Sequence, residues 1–163
     1  MDLGTLITAI LIAVACIIPF IIMSKINNRL ERQILQPLFS LAQKHHSKVM
    51  QYDTWSNAAV GIDHTTAMVF FFKKVNNTET SQQVSLSEIR KCRIVQVTKT
   101  ANDGQDNFKA TTKLELVFEY LDTSKADTLL EFYDAAADGA NLTGELQLIE
   151  KWRQLIENKM AAK

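Results

Sequence analysis

The spacing of apolar residues changes three times along this chain. Residues 3–23 are apolar almost without interruption. Residues 24–48 repeat an apolar side chain every three or four positions, through Ile26, Leu30, Ile34, Leu38 and Leu41, which predicts a helix. Pro37 falls inside that repeat and predicts a break or kink, because its ring removes a donor and disfavours helix at Gln36. From residue 49 the period drops to two. Strands are expected over 49–55, 59–63, 68–72, 83–86, 91–99 and 113–120, with a seventh around Leu130 and Phe132. Turn chemistry at Ser56-Asn57, His64-Thr65, Asn76-Asn77, Asn102-Asp103-Gly104 and 122–127 separates them. The helical period returns over 143–160. Its stripe is Leu148, Ile149, Trp152, Leu155, Ile156 and Met160, with Thr143 as the expected N-cap.

The third strand is unusual in being apolar at every position from Met68 to Phe72. A strand with one wet face alternates, so both faces of this one must be covered. Met68, Phe70 and Phe72 are expected to face the core and Val69 and Phe71 the outside. The cover for the latter is either a partner protein or the preceding helix, through Leu38, Leu41 or Ala42.

The opening run has the length of a membrane span. At about 1.5 Å per residue, residues 3–23 make a helix of roughly 31 Å, matching a hydrocarbon core of about 30 Å. Lys25, Arg29 and Arg32 follow it and only Asp2 precedes it, so the expected orientation has the N-terminus outside and the C-terminal domain on the cytoplasmic face of the cell (inner) membrane. Three segments are thus expected: a transmembrane helix over 3–23, a linker helix over 24–48 kinked at Pro37, and a domain over 49–163. The linker helix also offers a seam through which two copies could pair.

Composition narrows the function classes. Eighteen basic residues balance eighteen acidic ones, which argues against a nucleic-acid binder. The two cysteines, Cys16 and Cys92, leave no disulfide framework, and the scarcity of glycine (5) and proline (2) argues against a long disordered tail. No nucleophile–base arrangement, phosphate loop or metal-spaced cluster is present, so no catalytic activity and no cofactor is expected. One spacing resembles a calcium loop. Counting from Asp134 puts Asp138 at position 5, Gly139 at 6 and Glu145 at 12, but Ala136 and Asn141 occupy positions where a ligand and an apolar residue belong. His45 and His46 are adjacent, hence on different helix faces, and His64 stands apart. Lys73-Lys74 and Arg90-Lys91-x-Arg93 make a candidate basic patch.

Seven strands followed by one amphipathic helix carrying Trp152 resemble the pleckstrin-homology-like roll, an α+β fold in which the C-terminal helix plugs one open end. The phrases at 51–55, 61–63, 131–133 and 142–146 are similar to those of uncharacterised single-pass bacterial membrane proteins. The resemblance implies a binding module rather than an enzyme. Its lipid-binding members carry a basic cluster at the first hairpin, where this chain has uncharged Ser56-Asn57-Ala58, so it does not imply phosphoinositide binding. The expectation is a membrane-anchored interaction or scaffold module with a protein partner. Its candidate surface is Val69, Phe71, Lys73, Lys74, Arg90, Lys91 and Arg93. The alternatives are a metal-dependent or enzymatic regulator using the acidic turn from Asp134 to Glu145, and an exported envelope or sensor domain.

Overall fold

A computed structural model describes residues 32–103, 106–139 and 141–162, leaving aside the side chains of 100–109. It is an α+β arrangement of two antiparallel sheets and a C-terminal helix. Helix α1 covers 32–44. The first sheet has the order β1-β2-β3-β4, from Gln51–Trp55, Ala58–Asp63, Met68–Val75 and Thr78–Ser85. A 3-10 turn, Leu86–Glu88, leads into the second sheet, β5-β6-β7, from Ile89–Asp103, Asp106–Tyr120 and Thr128–Asp134. Two helices close the chain, the single-turn α2 (Ala135–Asp138) and α3 (Glu145–Ala161).

The seven expected strands are present, but they do not form a single seven-stranded roll. They divide four and three, because the chain leaves the first sheet at the 3-10 turn and pairs afresh between β5 and β6. Strand ends also move outward. Asn76 and Asn77 both take positive φ, 45° and 68°, in a two-residue turn that lets β3 and β4 pair from Met68↔Ser85 to Val75↔Thr78. At the head of α3 the N-cap is Gly144 at φ 132°, not Thr143. Thr143 donates its backbone N–H and its hydroxyl to the Glu145 carboxylate instead.

Two cores share the first sheet. The larger lies between the sheets and is plugged by α3. It holds Val60, Ile62, Val69, Phe71, Leu116, Phe118, Leu130 and Phe132, with Ile149, Trp152 and Ile156 from the helix. The smaller lies on the outer face, where Ile34, Leu35, Leu38 and Ala42 of α1 pack on Ala59, Phe70 and Phe72. β3 is therefore apolar throughout because it separates two cores. The expected direction is reversed: Val69 and Phe71 point into the main core, and Phe70 and Phe72 point to α1. Close approach of α1 depends on Gly61, where a Cβ would stand 2.7 Å from the Val49 side chain and 3.3 Å from that of Leu38. The helix continues through Pro37, so no break is seen where the proline suggested one. The apolar stripe of α1 is spent on the sheet, which removes the dimer seam expected of it within 32–44.

The membrane expectation needs correction. Among the described residues no helix is long and apolar enough to cross a membrane. Residues 3–23, on which the span was read, lie outside the described residues. That finding removes the support for a single-pass anchor, and with it for the expected orientation, the inner-membrane placement, the membrane as a partner and the resemblance to single-pass membrane proteins.

Candidate functional site

The residues singled out from sequence fall into three groups. Val69 and Phe71, 0% and 1% exposed, are core and out of a partner's reach. Lys73 shares their parity along β3 and is also buried, at 4%. At the rim of the main core its ammonium meets Asp138 at 2.8 Å and Glu131 at 3.1 Å, joining the first sheet to the end of the second. Glu131 is shared with Lys113, whose ammonium also binds Glu115 at 2.8 Å; these hydrogen bonds push the Lys113 pKa up. Lys74 lies outside and pairs with Glu79 at 2.8 Å. The third group sits at the start of β5. Arg90 and Arg93 both bind Glu119, at 3.0 and 2.8 Å, and the two guanidinium groups, Arg93 foremost, hold its carboxyl below the usual range. Lys91, exposed, makes no ion pair among the described residues. The basic residues thus do not merge into one patch: Lys73 is consumed inside, and Arg90 and Arg93 are largely neutralised.

The acidic turn is likewise committed to protein partners. Asp134 caps α2 by accepting from the Ala136 N–H at 2.9 Å. Asp138 accepts from Lys73 and from the Asp134 N–H, and Glu145 accepts from Thr143. These carboxylates surround Tyr133, whose hydroxyl donates to the Gly139 carbonyl at 2.6 Å; burial first, then Glu145, Asp138 and Asp134, push its pKa up. The other oxygen of Asp138, Oδ1, is buried without a hydrogen-bond partner among the described residues. Among those residues no group of three or more His, Cys, Asp or Glu side chains could hold a metal ion. The histidines are equally dispersed, His45 beside the Phe70 ring and His64 beside Gln51.

What sequence reading missed is a cleft of about 520 Å³ between the start of β5 and the last turns of α3. Ile89, Arg90, Lys91 and Cys92 form one wall, Glu157, Met160 and Ala161 the other, and Leu121 the mouth. Three local features build it. Among the described residues β5 is an edge strand, paired only with β6. Ile89 faces Tyr120 and Lys91 faces Glu119, so Arg90 is an unopposed bulge residue, and Arg90 and Lys91 are both exposed in succession. Leu121 is 60% exposed, an apolar side chain standing at the opening. The floor is chemically quiet: burial, helped by Glu157 and opposed by Arg153, pushes the Cys92 thiol up to about 12.

A second groove of about 610 Å³ runs between Gln51, His64 and the outer side of α3 at Lys151, Gln154, Asn158 and Lys159. Its best-placed cation is already engaged, Lys151 holding Asp53 at 2.7 Å. An exposed aromatic pair, Phe39 of α1 against Tyr52 of β1 with centroids 5.5 Å apart, lies on the α1 side of the first sheet. No family model, no curated protein and no solved structure matches this chain.

Proposed function

We propose that this protein is a non-catalytic interaction module that receives an extended segment of a partner protein in the cleft between β5 and α3. The observation that carries the reading is that β5, whose Ile89, Arg90, Lys91 and Cys92 form one wall of the cleft, is also an edge strand. Outside the β5–β6 ladder, no backbone hydrogen bond involves residues 90–95 among the described residues. An edge of this kind presents N–H and C=O groups on every other residue, which an added strand satisfies while pockets beside it select side chains. The Cys92 thiol in the cleft floor, pushed up to about 12 first by burial and then by Glu157, is held protonated near neutral pH, which supports binding rather than turnover there. From the fold, support comes from strand count alone. Seven strands in succession and a closing helix are the count on which the pleckstrin-homology-like expectation rests; they are present but divide four and three, and that count brings no ligand with it.

The test is site-specific photo-crosslinking of the full chain in its own cells. A crosslinking side chain at Leu121 or Lys91 should give a discrete protein adduct, whereas one at Glu79, on the exposed far end of β4, should not. Adducts arising from Tyr52 or Phe39 but not from Leu121 or Lys91 would move the partner to the other face and overturn the assignment.

A further inference from the structure

Resting on that reading, we infer that the segment taken by the cleft is an acidic one, alternating apolar and carboxylate side chains. The charges on the cleft walls are unequally spent. Glu157 is held by Arg153 and Arg90 is shared out to Glu119, which leaves Lys91 as the cleft-wall charge without an ion pair among the described residues. Cys92 points into the core, so Lys91, its neighbour in the strand, points to the opposite face of the sheet. A strand added along β5 has the same alternation. One set of its side chains falls on the apolar floor made by Ile89, Cys92 and Met160; the next residue along falls beside Lys91 and Arg90. An apolar residue suits the first position and a carboxylate the second. A basic residue at the second position would meet Lys91, set beside Arg90 by the bulge, while the Arg90 charge is already shared with Glu119.

The experiment uses two blocked nonapeptides, one alternating valine with glutamate and the other valine with lysine. Each is titrated into the isotope-labelled full chain while backbone amide shifts are followed. The glutamate peptide should shift the amides of residues 90–95 and 160–161 and bind about tenfold more tightly than the lysine peptide, the spread expected from exposed charge pairs of opposite sign. The charge reversal Lys91→Glu, at an exposed position that leaves the fold intact, should invert the order of the two. Equal shifts of β5 by both peptides would leave strand addition standing and overturn the acidic preference. Shifts from the glutamate peptide that map instead to Lys151 and Lys159 would overturn the preference for this cleft. No shift of β5 by either peptide at millimolar concentration would overturn strand addition itself, and the acidic preference with it.

Discussion

Trp152 of α3 donates its indole N–H to the Asp53 carboxylate of β1 at 2.8 Å. The plug helix is thus tied by a directed bond to the edge strand of the opposite sheet, and Lys151 reaches the same carboxylate. The ring itself is wholly buried in the main core. Trp152→Ala should cost about 3 to 5 kcal/mol by loss of packing. Trp152→Phe, which keeps most of the packing but withdraws the donor from Asp53, should cost about 1 to 3 kcal/mol. Denaturant unfolding of the full chain measures both. A loss below about 1 kcal/mol for the alanine variant would make α3 peripheral to the fold.

Lys73 and Asp138 form a buried pair whose members differ in what they can lose. With Lys73 replaced by methionine, Glu131 keeps Lys113, but Asp138 keeps only the Asp134 N–H. Lys73→Met should therefore destabilise by about 3 kcal/mol, the range for stranding a buried charge. Adding Asp138→Asn removes that charge and leaves an oxygen to accept from Asp134. The double variant should recover more than half the loss in a thermal or urea melt, and failure to recover would mean that the cost is one of packing.

Asp63 links β2 to the chain before β1. Burial disfavours its ionised form, but the Lys48, Thr65 and Thr66 backbone N–H donors, with the Thr66 side chain, outweigh it and hold the carboxyl below the ordinary 3.8. A depressed carboxyl contributes stability that is complete above the unfolded pKa and lost as pH falls through the folded one. Melting temperature should therefore drop as pH is lowered from about 5 to about 2. In Asp63→Asn the protein should be less stable at neutral pH and the drop shallower, with Glu119 and Glu150, both depressed by arginine partners, and Asp122, depressed by Ser124, supplying the remaining slope. An unchanged slope would remove Asp63 from the account.

Cys92 is the free thiol of the described residues and lines the floor of the cleft. With its pKa at about 12, it should resist iodoacetamide in the folded protein at pH 8 and react within minutes once denaturant is added. Mass spectrometry of the alkylated peptide separates it from Cys16. Rapid labelling of Cys92 in the native protein would show the cleft to be deeper and wetter than described.

Periodicity made the strands and the plug helix legible, because a period of two and a stripe through Ile149, Trp152 and Ile156 are local signals. It also showed that both faces of β3 are covered. It did not show which face is which. Val69, Phe71 and Lys73 share one parity, and nothing local marks the face that carries the lysine as the core face. The lysine is inside because Glu131 and Asp138, 58 and 65 positions further along the chain, arrive to meet it, which no local pattern records. The cleft was invisible for a similar reason. Basic residues at the start of β5 stood out in the sequence, but their opposing wall comes from the far end of α3.

The smaller core carries a consequence for where this unit begins. Phe70, Phe72 and Ala59 are 0 to 1% exposed only because α1 lies over them, and Gly61 is shaped to let it lie there. A shortened chain starting at residue 49 would keep every strand and still bare a contiguous apolar face. Such a fragment should bind a hydrophobic dye and self-associate, while one starting at residue 32 should stay monodisperse in light scattering. The N-terminal boundary of the folding unit therefore lies ahead of the first strand, and α1 belongs to the domain as its lid rather than to whatever precedes it as a spacer.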